Sequence, residues 1–208
     1  MEPTSTPPSS LGAWLAQPQS LIALSAVVLS LCGLFIAVYE ASLIRQSQRA
    51  AVWPYVEIAP SLNRESVRLG MVNVGIGPAR VEAAAVFHDG VLLEDWRAMS
   101  RAVLGARADS VDYRQSLAGG RVLAAGQGDA IFTLTSEMSR SPETGRRAVA
   151  GMRQAIVDGA LEVTVCYCSV YDECWTISMQ NMLGAASAEA PPGNQPVESC
   201  DGAPRSGI

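Results

Sequence analysis

Leu161–Gln180, LEVTVCYCSVYDECWTISMQ, is where the chain shows its architecture most openly. In the first half the odd positions (Leu161, Val163, Val165, Tyr167) are apolar, and in the second Trp175, Ile177 and Met179 repeat the pattern. Alternate residues of a strand point to opposite faces, so these seven predict two strands sharing a core face. Glu162, Thr164, Cys166, Cys168, Cys174, Thr176 and Ser178 fall on the other face. The short loop 169–173 makes the pair a hairpin and sets Cys168 directly opposite Cys174. Outward from it the same period recurs. Tyr55–Ile58, Val67–Val74, Arg80–Phe87 and the strand–turn–strand run Arg121–Thr135 read as further strands. Leu92–Leu104 has apolar residues at helical spacing, and Ser141-Pro142 opens a second helix with a serine cap and proline at the first position, running to Asp158-Gly159. Short alternating strands with two helical insertions predict a mainly β protein, an immunoglobulin-like antiparallel β-sandwich over residues 54–183.

Cys166, Cys168 and Cys174 are the candidate thiol cluster. Three readings stay open. They are reduced cysteines filling a half-buried face, or a Cys168–Cys174 disulfide indicating an oxidising compartment, or a thiolate metal or redox site. Cross-strand Cβ atoms lie about 4.5–5.5 Å apart, somewhat more than a disulfide wants. Zinc takes four Cys or His ligands, and only His88 and Cys200 remain to complete a set; neither is near in sequence, and the spacing fits no zinc template. No metal or cofactor is predicted.

Leu21–Tyr39, LIALSAVVLSLCGLFIAVY, is apolar on every face apart from Ser25, Ser30 and Gly33. Nineteen helical residues rise about 28 Å, close to the roughly 30 Å of a bilayer's hydrocarbon core. The hydroxyls of Ser25 and Ser30 can bond back to their own helix carbonyls. With no basic residue before Arg45 and no small-x-small site after the run, a cleaved signal peptide is disfavoured. A transmembrane helix over 21–39 is therefore predicted, with a loose tail over 1–20 and a helical stalk over 40–53 that Trp53-Pro54 ends. Trp14 and Tyr39 suit the two headgroup levels, and Arg45 and Arg49 the anionic surface beyond. Those two arginines also place the C-terminal domain in the cytoplasm by the positive-inside rule. Gly33, Ala37 and Ala41 form a small-residue stripe through which two helices could pair as a homodimer. From Gly184 on, Ala, Ser, Pro and Gly dominate, which predicts a loose tail over 184–208.

The chain has 15 Arg, no Lys and 20 acidic residues, a net charge of −5. Arg45, Arg49, Glu2 and Glu40 precede Pro54, so the domain carries the same net charge. An acidic domain without a basic stripe argues against nucleic-acid binding. No catalytic motif is present. Gly75-Ile76-Gly77 lacks the third glycine and the following helix of a dinucleotide fingerprint, and reads as a turn admitting close approach of two strands. His88, the single histidine, stands beside Asp89 without a G-x-S-x-G elbow anywhere.

Taken together, RQSQRAAVWPYVEI (45–58), NVGIGPARVE (73–82) and CYCSVYDECW (166–175) after one N-terminal helix resemble a family of uncharacterised bacterial single-pass membrane proteins. The resemblance covers about residues 21–180 and implies an inner-membrane protein with a small β domain; it carries no activity. The expectation for function is a membrane-tethered interaction or scaffold module without catalysis, with the lipid bilayer and a protein as partners. The alternative is a thiol-based redox sensor or metal-binding domain using Cys166, Cys168 and Cys174.

Overall fold

The computed structural model describes residues 18–180 and 193–208. Trp14, most of the N-terminal tail and residues 181–192 lie outside them. The chain divides at Arg49–Ala50 into two compact units.

The described residues of the first unit lie on one helix, α1 (Pro18–Ala50), long and apolar enough between Leu21 and Ala50 to cross a membrane. None of its apolar side chains is buried. Ser25 Oγ donates to the Ile22 carbonyl and Ser30 Oγ to that of Ala26, both at 2.8 Å, so each hydroxyl is satisfied within the helix. Gly33, Ala37 and Ala41 follow one another at four-residue steps on one face, and a Cβ at Gly33 would meet nothing within 4 Å.

The second unit is built of two antiparallel sheets around one core. Its strands are β1 (Val56–Leu62), β2 (Ser66–Asn73), β3 (Ala79–His88), β4 (Val91–Leu93), β5 (Arg114–Gln115), β6 (Arg121–Leu123), β7 (Gly128–Thr135), β8 (Leu161–Cys168), β9 (Cys174–Ser178) and β10 (Gln195–Val197). One sheet runs β1-β2-β7-β5; the other runs β10-β9-β8-β3-β4, with β6 also paired to β3. Alternation puts Val56, Ile58, Val67, Leu69 and Met71 of the first sheet against Val81, Val86, Val163, Val165 and Ile177 of the second, all essentially fully buried. Helix α2 (Trp96–Leu104) buries Trp96 and Met99 and packs on β3. Asp95 caps it, accepting from Ala98 N at 2.7 Å. Helix α3 (Pro142–Val157) packs on β2, β7 and β8, with Ser141 as its cap and Pro142 at the first position as the sequence predicts.

Two expectations need correction. Leu92 and Leu93 are not helical; they belong to β4, which pairs with β3 through Asp89-Gly90. Both turn residues have positive φ (50° and 76°), the two-residue hairpin geometry that Asp-Gly favours, and the dipeptide reverses the chain ahead of Leu92. The C-terminal segment 193–208 is not a loose tail. Its composition is poor in core formers, but β10 adds to β9, and Ile208, 4 % exposed, plugs into the core.

The Asn73–Ala79 turn fastens the entry of the chain. Asn73 is fully buried and satisfied on every side: Oδ1 accepts from Tyr55 N (3.1 Å) and Gly75 N (3.0 Å), while Nδ2 donates to the carbonyls of Gly77 (2.8 Å), Leu123 (3.1 Å) and Ala124 (3.3 Å). Gly75 and Gly77 press against residues 52–55, so the glycines serve close backbone approach as read from the sequence, but to the entry segment before β1 and not between two strands.

Tyr167 is buried in the core and stacks on Trp175, its cross-strand partner, with ring centroids 5.7 Å apart. Its hydroxyl makes no hydrogen bond of normal geometry, and burial, outweighing the Val56 backbone, pushes its pKa up to about 12. A raised phenol pKa means the fold favours the neutral form. That stability is whole below the unfolded value near 10 and is lost as pH rises towards about 12. Tyr167→Phe is expected to flatten the fall in unfolding free energy over this window, with stability at neutral pH unchanged or raised, since only an unpartnered hydroxyl is removed. Urea titrations at pH 8, 10 and 11.5 check it.

Candidate functional site: a stapled hairpin

β8 and β9 pair in the expected register, Tyr167 opposite Trp175 and Cys168 opposite Cys174. Cys166, Cys168 and Cys174 therefore share the outer face of the sheet. That face is covered. The C-terminal segment crosses it as a strap, with Gln195, Pro196 and Val197 opposite Thr176, Trp175 and Cys174. Proline is tolerated here because β10 is an edge strand. Further along, Ser206 N donates to the Ala84 carbonyl (2.9 Å), Ser206 Oγ to that of Leu93 (2.6 Å) and Val86 N to Ser206 Oγ (3.1 Å). Gly207 N reaches Glu94 O at 2.6 Å, and Ile208 O accepts from Gly119 N at 3.1 Å.

Beneath the strap the cysteines are paired. Cys166 bonds Cys200 and Cys168 bonds Cys174. With Ala83 and Ala203 they form a small second core, each sulfur residue buried. Of the three readings, the Cys168–Cys174 disulfide is the one the structure has; the reading of reduced thiols on a half-buried face is corrected, since Cys166 is taken up by the fourth cysteine that the strap brings in. Cys200 was set aside as remote in sequence. The available signal was parity: of five cysteines one, Cys32, lies in α1, leaving an even four for the domain.

The two disulfides touch. Cys168 Sγ lies 3.7 Å from Cys200 Sγ, and the sulfurs of Cys168, Cys174 and Cys200 are all within 4.8 Å of one another. Paired sulfurs have no thiolate to offer a metal, so in this oxidised state the group is a staple and not a ligand set. His88 does not join it; its Nδ1 sits 3.4 Å from Asp89 Oδ2 at the β3–β4 turn.

What the staple holds is the hairpin tip, Ser169–Glu173. Ser169 is 1 % exposed and organises the loop. Its N–H donates to Glu173 O (2.8 Å), its carbonyl accepts from Asp172 N (3.2 Å), and its hydroxyl accepts from the N–H groups of Tyr171 (3.1 Å) and Glu173 (3.3 Å). Asp172 takes φ 59°, a left-handed conformation that aspartate tolerates, and accepts from Arg80 on β3 at 2.8 Å. The carboxylates of Asp172 and Glu82 hold the Arg80 guanidinium above its ordinary pKa. Val170 and Tyr171 stand out from this frame, 47 % and 43 % exposed.

Of the remaining predicted residues Trp14 lies outside the described residues, and the others are on α1. Tyr39, Arg45 and Arg49 are exposed there, as are Gly33, Ala37 and Ala41. The chain matches no protein-family model, no curated protein and no solved structure.

Proposed function

We propose that this chain is a single-pass membrane protein of the bacterial inner membrane, anchored by residues 21–39, whose immunoglobulin-like domain recognises a protein partner through the tip of the β8–β9 hairpin. The observation that carries this is the tip itself: a five-residue loop, closed covalently at its base, that exposes an aliphatic and an aromatic side chain side by side. Association costs conformational entropy for every loop it orders. A loop fixed beforehand by a disulfide, four hydrogen bonds and an ion pair avoids most of that cost, and tyrosine is among the residues that dominate binding energy at interfaces. Catalysis is not part of the reading.

The domain, in this proposal, faces the oxidising side of the membrane. Arg45 and Arg49 favour the opposite placement, but each basic residue near an anionic surface is worth only about 1 kcal/mol. Two disulfides in one small domain are the stronger constraint, since cytosolic thiols are kept reduced. Reporter fusions at Ser187 are expected to be active only as the exported type. A photocrosslinker at Tyr171 in intact cells is expected to give a discrete adduct, absent when the crosslinker stands at Val157, an exposed residue at the end of α3, ahead of the start of β8. A cytoplasmic reporter signal would sink the orientation, and equal labelling from both positions would sink the recognition role.

A further inference from the structure

The geometry points to a thiol–disulfide exchange site in which Cys168–Cys174 accepts electrons from a partner dithiol and the freed Cys168 hands the reducing equivalent on to Cys166–Cys200. This deepens the reading of the hairpin as a recognition element, since the bond opened first is the one that closes its tip; the chemistry can fail while that reading stands.

Of the four paired sulfur residues Cys174 is the most exposed, 7 % against 3–4 % for the others, and it adjoins the exposed tip. A thiolate of the partner attacks Cys174 Sγ; a new S–S bond forms there and the Cys168–Cys174 bond breaks, leaving Cys168 as thiolate. The partner's second thiolate attacks its own mixed-disulfide sulfur, so that the partner departs oxidised and Cys174 is left as a thiol. The Cys168 thiolate already sits against Cys200 Sγ, 3.7 Å away, at van der Waals contact. It attacks that sulfur, forms Cys168–Cys200 and expels Cys166 as thiolate. Cys166 lines an open cavity of about 310 Å3 between the sheet and the strap, walled by Thr164, Thr176, Val197 and Ala203, where solvent can protonate it. In total the partner loses two electrons and two protons; the domain gains two thiols, at Cys166 and Cys174, and keeps one disulfide. Electrons enter at the tip, and the strap stays covalently tied throughout.

This arrangement differs from two independent staples in one measurable respect, a third pairing. The full-length chain in detergent is treated with one equivalent of dithiothreitol at pH 8 until equilibrium, quenched in acid, alkylated and cleaved after Tyr167, which separates Cys166 from Cys168. The Cys168–Cys200 peptide is expected beside thiols at Cys166 and Cys174. The same peptide is expected without any reductant in Cys174→Ser, where the Cys168 thiol is free from the start. Its presence in either sample carries the proposal; its absence from both, with thiols confined to Cys168 and Cys174 in the wild type, overturns it. Loss of the Tyr171 crosslink with the third pairing intact would instead count against recognition alone.

Discussion

Gly77→Ala is expected to be among the most damaging single substitutions in the domain. A Cβ at Gly77 would lie 1.8 Å from the carbonyl oxygen of Val52 and 2.2 Å from its carbon, where real Cβ contacts essentially never fall below 3.0 Å. The atoms it meets are backbone, so relief requires that the entry segment 52–55 move away from the turn. Movement there breaks the bonds that Ile76 N and Gly77 N make to Trp53 O (3.0 and 3.2 Å) and that Val74 N makes to Tyr55 O (2.8 Å). Overpacking alone costs about 1–3 kcal/mol, and each buried polar group left unpaired costs about as much again. A loss of roughly 4 kcal/mol is the expected sum, a large share of the about 5–15 kcal/mol that holds a domain together. Asn73→Ala should approach it, since it takes a side-chain partner from five backbone groups at once, of which Ala124 O keeps its bond from Gln127 N. Asn73→Asp should be worse than alanine, because a carboxylate would replace the donor facing three carbonyl oxygens. Gly202→Ala is the control, with open space around it, and should leave the midpoint of urea unfolding unmoved. If Gly77→Ala unfolded at the same urea concentration as Gly202→Ala, the packing account of this turn would be wrong.

That turn was legible in the sequence because glycine and asparagine state their reason locally: a missing Cβ and an amide that mimics backbone. The β8–β9 hairpin was legible for a related reason, a period-two pattern that fixes register and so sets Cys168 opposite Cys174. Asp89-Gly90 carried the same kind of local signal, but the apolar spacing of Leu92 and Leu93 suggested a helix that the turn excludes. The strap is different in kind. Nothing in GNQPVESCDGAPRSGI alternates or repeats; the segment is ordered by what it is laid upon, through backbone pairing to β9, one sulfur bond to Cys166 and the bonds around Ser206. Tertiary partners of that sort leave no period behind. The burial of Cys166, Cys168 and Cys174 on the outer face follows from the strap, and so it was equally invisible. Only the even number of domain cysteines hinted at it.

Removing the disulfides should reveal how much of the domain's stability depends on the strap. Loop closure in the unfolded chain makes the 34-residue separation of Cys166 and Cys200 worth about 4 kcal/mol, and the six-residue separation of Cys168 and Cys174 about 2 kcal/mol. The paired variant Cys166→Ser/Cys200→Ser should therefore lower the urea midpoint by about twice as much as Cys168→Ser/Cys174→Ser. Its effect should also reach further. Without the bond at Cys200 the strap is held by three ladder residues of β10 and the Ser206–Ile208 contacts, so amide exchange should accelerate at Val86, Ser206 and Gly207 while β2 and β7 stay protected. In the other variant faster exchange should stay within Ser169–Glu173, where Ser169 and the Arg80–Asp172 pair still favour the native loop. The order of the two midpoints is the decisive reading. Should the short-loop variant prove the less stable, chain entropy is the wrong account, and the Cys168–Cys174 bond would be acting mainly by organising the folded tip. A domain that leans on the longer bond for about 4 kcal/mol of its stability would be poorly suited to a reducing compartment, which ties the outcome to the redox conditions in which it can stay folded.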